Sequence, residues 1–121
     1  MKFRCVTNSI RFRLGKSDVE TFKNKGVVDT SLEFGNHVRF CYRLSTGSLS
    51  EPSVDFSANC LTVVLPAEQG LHWAASDEEI SLQFKHFIGE GKYLDVLVEK
   101  DFPCKHGSEK ENKDAFHELI D

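Results

Sequence analysis

The stretch Ser9–Phe22, SIRFRLGKSDVETF, decides how the chain begins to fold. Ile10, Phe12 and Leu14 alternate with Arg11 and Arg13, the period of a half-buried strand, so one face goes inward and the other carries two arginines. Gly15-Lys16 interrupts the alternation. Ser17, followed three residues later by Glu20, has the pattern of a capping box, with Asp18 in the first turn where the helix dipole favours an acid. Val19 and Phe22 give the helix an apolar edge, and Gly26 ends it. A strand running into a short capped helix is the best-marked local unit of the chain.

Working outward, Met1, Phe3 and Cys5 alternate with Lys2, Arg4 and Val6, and Thr7-Asn8 makes a tight turn because Asn tolerates positive φ. Residues 1–14 thus read as a β-hairpin with one apolar and one basic face. Val27–Phe34 reads as a strand, Gly35-Asn36 as a turn, and His37–Leu44 as a further alternating strand. Ser45–Ser53 reads as a Ser-rich loop, and Val54–Phe56 with Cys60–Leu65 as a second hairpin closed by Pro66. Ala67–Asp77 looks irregular, while Glu79–Phe87 and Tyr93–Glu99 form a last pair of strands across Gly89-Glu90-Gly91. From Lys105 the composition turns to Lys, Glu, Asn and Asp, which predicts a frayed or weakly helical tail over 105–121 behind a single domain over 1–104. No internal repeat and no βαβ rhythm is visible. The pattern predicts an α+β fold: a predominantly antiparallel, strongly curved or partly closed sheet with one short helix covering a face.

The bulk properties fit that architecture. The chain has 121 residues, enough to bury roughly two-thirds of its unfolded surface. Ten of its thirteen aromatic residues are Phe, a bias toward core filling, since recognition surfaces favour Tyr, Trp and Arg. A net charge of −4 argues against a general nucleic-acid binder, and no run approaches the ~20 apolar residues of a membrane span. The first residues lack the apolar core of a signal peptide, so a cytoplasmic protein with reduced thiols is expected. Cys5, Cys41, Cys60 and Cys104 include no C-x-x-C pair and match no zinc-ribbon spacing. Cys104-x-His106 with His117 is likewise a poor metal set on a polar tail, and no cofactor is expected.

The polar faces are where a site would lie. If the first hairpin and the His37–Leu44 strand share a sheet, Lys2, Arg4, Arg11, Arg13, Arg39 and Arg43 line up on one side. Opposed like charges repel unless something negative sits among them. That partner is either internal, with Asp29 and Glu33 or Asp95 and Glu99 laddering across, or a bound anion gripped by paired guanidiniums. Cys41, between Arg39 and Arg43, has positive neighbours that lower a thiol pKa, yet no phosphatase signature surrounds it. None of the G-x-S-x-G, phosphate-loop, dinucleotide or H-E-x-x-H motifs occurs. The sequence therefore favours a non-enzymatic binding module that takes an anionic small molecule or an acidic protein segment on Arg4, Arg11, Arg13, Arg39 and Arg43. The alternative is an enzyme for a phosphorylated or carboxylated substrate, with the arginines orienting it and Glu99 or Asp101 as acid–base group or metal ligand.

Met1–Arg4, Asn8–Leu14, Ser17–Glu20, Glu33–Gly35, Leu65-Pro66, Trp73-Ala74, Val96–Phe102, Cys104 and Asp114–Phe116 carry a resemblance spanning nearly the whole chain. On these residues it resembles a small family of bacterial proteins, mainly of Bacteroidetes type, catalogued as a domain of unknown function. The resemblance implies a bacterial, intracellular, single-domain protein and brings no activity with it. The tail departs from the family, with His117-Glu118-Leu119 where the family continues Pro-Asn-Pro.

Overall fold

The computed structural model describes residues 1–101, so the expected tail over 105–121 lies outside the described residues. The elements run β1 (Lys2–Val6), β2 (Ser9–Leu14), α1 (Lys16–Lys25), β3 (Val27–Gly35), β4 (Val38–Gly47), β5 (Ser53–Ser57), β6 (Cys60–Pro66), α2 (Ala67–Ala75), β7 (Ser81–Gly89) and β8 (Lys92–Lys100). They form two four-stranded sheets, ordered β1-β2-β8-β7 and β3-β4-β6-β5. The α+β expectation holds and every hairpin is antiparallel, but the central pair of each sheet, β2 with β8 and β4 with β6, is parallel.

Three local readings change. The helix starts at Lys16 rather than after Ser17: Gly15 is its N-cap, and the Asp18 carboxylate accepts the Gly15 N–H at 3.0 Å. The same carboxylate lies 2.9 Å from the Met1 ammonium, so Asp18 ties the chain start to the helix start. Ala67–Ala75 is a second helix, masked in sequence by its brevity and by Gly70, which is a poor helix former. Gly70 sits where a Cβ would come within 3.2 Å of Phe22, so its bare backbone lets the two helices approach. Finally, β4 continues to Gly47 instead of ending in a loop at Ser45, held by Thr46 N–H donating to the Gly26 carbonyl at 2.9 Å.

The topology contains a repeat that the sequence conceals. Hairpin–helix–hairpin occurs twice, as β1-β2-α1-β3-β4 and β5-β6-α2-β7-β8, and each sheet takes one hairpin from each half. The match is position by position. Phe3 opposite Phe12 corresponds to Val54 opposite Val63, an offset of 51 residues; Val28 opposite Leu44 corresponds to Leu82 opposite Val98, an offset of 54. The longer α2–β7 connection accounts for the change of offset. Cys41 N–H donates to the Asn59 carbonyl at 2.9 Å just as Asp95 N–H donates to that of Asn8 at 3.1 Å. The β3–β4 and β7–β8 hairpins share a register shift before Gly35 and Gly89, and both turns are left-handed: Gly35-Asn36-His37 at φ 90, 52 and 65, Gly89-Glu90-Gly91 at 97, 54 and 71.

One core serves both sheets. Phe12, Leu14, Val96 and Val98 of the first sheet join Leu44, Val63 and Leu65 of the second, all essentially sealed from solvent. Phe3 stacks on Tyr42 at 5.3 Å between ring centres, and the Tyr42 hydroxyl donates to the Met1 carbonyl at 2.7 Å. At the helix end, Phe22 of α1 meets Trp73 of α2 edge-on at 6.1 Å, and these two residues also occupy equivalent places in the repeat. Burying a side chain of this class is worth about 1.5–3 kcal/mol, so the shared core is what joins the halves. No helix among the described residues is long and apolar enough to cross a membrane.

Candidate functional site

Because both apolar faces turn toward one core, the two polar faces point away from each other. The predicted arginine row is thereby divided: Arg4, Arg11 and Arg13 lie on the outward face of the first sheet, Arg39 and Arg43 on that of the second. The reason is strand order. β2 pairs with β8 rather than with β4, and nothing in the local alternation of either strand encodes that choice.

Three rows cross the outward face of the first sheet. Lys2, Arg13, Glu99 and Ser81 form one, Arg4, Arg11, Leu97 and Gln83 the next, and Val6, Ser9, Asp95 and Lys85 the third. Lys2 and Arg4 thus stand directly opposite Arg13 and Arg11, an arrangement that costs energy without a negative partner. Glu99 supplies part of the compensation: its Oε1 accepts from Arg13 Nη2 at 2.7 Å and lies 3.8 Å from Arg11 Nε. Lys2 reaches Asp101 at 3.1 Å. Glu99 and Asp101, the carboxylates of the enzymatic alternative, are therefore held as ion-pair partners. Beside this ladder a hollow of about 550 Å³ opens over Arg4, Ser9, Arg11, Gln83, Lys85 and Asp95. It sets three cations and two neutral hydrogen-bonding side chains against one carboxylate, and its volume suits a small organic ligand.

In the second sheet Arg43 has an ion-pair partner within the ladder, while Arg39 has an acid only as its register neighbour. Asp29 is opposite Arg43, with Oδ2 3.4 Å from Nε, and Glu33 is opposite Arg39. Between these rows Cys41 faces Cys60 across the parallel pair, at the floor of a hollow of about 270 Å³ that Arg39, Arg43, Asp55 and Thr62 also line. The Cys41 thiol is pushed above its ordinary pKa, first by burial and then by the neighbouring Cys60 thiol, with Arg43 pulling the other way. The lowering expected from flanking arginines does not prevail, because desolvation wins. Arg43 is in turn held toward its charged form, chiefly by the Cys60 sulfur.

The two hollows are the same place in the two halves of the repeat. Arg4, Ser9, Arg11 and Asp95 of the first correspond to Asp55, Cys60, Thr62 and Cys41 of the second. One copy sets three cations against one carboxylate, and the other holds a pair of thiols between two arginines. Gln83, Lys85 and Cys60 are the participants that sequence reading missed; the alternation of β7 marks Gln83 and Lys85 as outward, but only strand order brings them to Arg11. Among the described residues no cluster of three or more His, Cys, Asp or Glu forms a metal-sized site. His72 rests 3.5 Å from Glu79 on the surface.

These features define a duplicated α+β domain with two equivalent surface hollows of different chemistry. The chain belongs to a family of unknown function, DUF7009, which matches residues 1–119. No curated protein and no solved structure matches it.

Proposed function

We propose that the chain is a non-enzymatic binding module whose first-sheet hollow takes an anion. The observation that carries this reading is the convergence of Arg4, Arg11 and Lys85 on one hollow of about 550 Å³, with Ser9 and Gln83 beside them as neutral hydrogen-bonding groups. Guanidiniums grip carboxylate or phosphate through two parallel hydrogen bonds, and an ammonium adds a point charge. Arg39 and Arg43, each facing an acid across its own ladder, form no part of this site. An extended acidic segment is the macromolecular variant of the same ligand, since β1 and β7 are the edges of the sheet that bears the hollow.

The test is a titration followed by calorimetry with inorganic phosphate, di- and tricarboxylates, and an acidic peptide. Arg11→Ala is expected to weaken the best of these about tenfold or more, the weight of one charge-assisted hydrogen bond, and Arg43→Ala to leave it unchanged. Asp95→Asn, which removes the opposing charge, should tighten it. Equal losses for Arg11→Ala and Arg43→Ala, or no binding by any member of the panel, would sink the proposal.

A further inference from the structure

We infer that Cys41 and Cys60 form a reversible dithiol–disulfide site, closed by exchange with a low-molecular-weight disulfide of the glutathione type. The inference stands on the second hollow and is independent of the anion site. The two residues are register partners on adjacent parallel strands. Neighbouring strands lie about 4.8 Å apart, inside the ~4.4–6.8 Å range of Cα separations that a disulfide spans. Both side chains leave the same face of the sheet, as the register of the parallel pair requires, and both line the one hollow. Cys41 is 6% exposed, whereas Cys60 is half-buried and opens into the hollow of about 270 Å³. Arg39 and Arg43 flank the pair, matched to the carboxylates of such a reagent and to the thiolates that form during exchange. The equivalent positions of the other half, Ser9 and Asp95, have no such chemistry, so the thiol pair is not a requirement of the repeat.

Exchange proceeds in two displacements. Cys60, the accessible sulfur, loses its proton to solvent and attacks one sulfur of the reagent; the reagent's S–S bond breaks and its first half leaves as a thiolate that takes up a proton. Cys41 then gives its proton to solvent and attacks Cys60 Sγ. The mixed disulfide breaks, and the second half leaves and is protonated in turn. Two protein thiols are oxidised to one disulfide while one small disulfide is reduced to two thiols. The new bond ties β4 to β6, the strands through which the two halves meet in the second sheet.

The test uses the full chain carrying Cys5→Ser and Cys104→Ser, so that Cys41 and Cys60 are its only thiols. After incubation with oxidised glutathione the expected product has lost the mass of two hydrogens, carries no adduct and yields a linked Cys41–Cys60 peptide. Its melting temperature rises by about 10–15 °C, the effect of closing a loop of this length in a chain of this size, and dithiothreitol reverses both changes. A persistent glutathione adduct, a disulfide-linked dimer, or two thiols that still alkylate after incubation overturns the inference.

Discussion

His37 and Gly91 occupy the same place in the two halves, the last residue of a left-handed turn, at φ 65 and 71. A side chain there crowds its own carbonyl, at a cost of roughly 1 kcal/mol, and glycine escapes that cost while losing more freedom on folding. The chain thus contains both members of a natural substitution experiment. His37→Gly is expected to raise stability by about 0.5 kcal/mol, and Gly91→Ala to lower it by about 1 kcal/mol, both read from urea unfolding midpoints. The space around Gly91 is open, so the second change isolates backbone strain from crowding. Should the two variants shift in the same direction, the turns are not equivalent. At this scale the sequence was an incomplete guide. Asn36 signals a turn, and alternation alone assigns His37 to the following strand, whereas histidine, like asparagine, is enriched among left-handed residues and here ends the turn at φ 65.

At the scale of elements, what could be read was whatever depends on near neighbours. The hairpins, the outward arginines and the first helix all follow from alternation and capping patterns within about a dozen residues. α2 did not, because its nine residues spend their helical pattern on only three buried positions, Gly70, Trp73 and Ala74. Trp73 is nevertheless the better anchored of the two equivalent helix residues. It is sealed from solvent, donates Nε1–H to the Ile80 carbonyl at 3.1 Å, and lies under the Lys100 ammonium, 5.3 Å from its ring centre. Lys100 Nζ also donates to the carbonyls of Ser76 and Glu79, and this burial lowers its pKa despite the pull of Glu79 and Asp77. Trp73→Phe, which copies Phe22 into the second helix, is therefore not neutral. It leaves a void, removes one of the two hydrogen bonds to the Ile80 carbonyl (the Lys100 backbone N–H still donates to it at 3.0 Å) and weakens the cation–π contact, for an expected loss of about 2 kcal/mol in chemical denaturation. A loss under 0.5 kcal/mol would mean that α2 packs loosely and that the Ile80 bond contributes little.

The whole molecule is an exchange of hairpins between two halves, and this is the part no local pattern encodes. Alternation is common to every half-buried strand, so Ile10-Arg11-Phe12-Arg13-Leu14 and Leu61-Thr62-Val63-Val64-Leu65 share a pattern of inward residues without visible likeness outside it. Strand order, which decides that Arg11 shares a hollow with Asp95 and Lys85 and not a face with Arg39, is set by how two apolar faces close over one core. That is a property of the sum of the hairpins and of none singly. It has a consequence for stability. Neither half contains a complete sheet: β1 and β2 lie against β8 and β7, and β4 lies against β6. A lone hairpin is marginal in water, and cutting between the halves exposes Phe12, Leu44, Val63 and Val98 together. The peptides 1–49 and 50–121 are each expected to melt without a cooperative transition, and their equimolar mixture to regain one in circular dichroism together with the near-ultraviolet signal of Trp73. The intact chain should unfold in a single step, because the core has no internal seam along which one sheet can open first. Cooperative melting of either peptide alone, at a concentration too low for self-association, would show instead that one half closes its own core, and the reading of the fold as an obligate exchange between halves would fall.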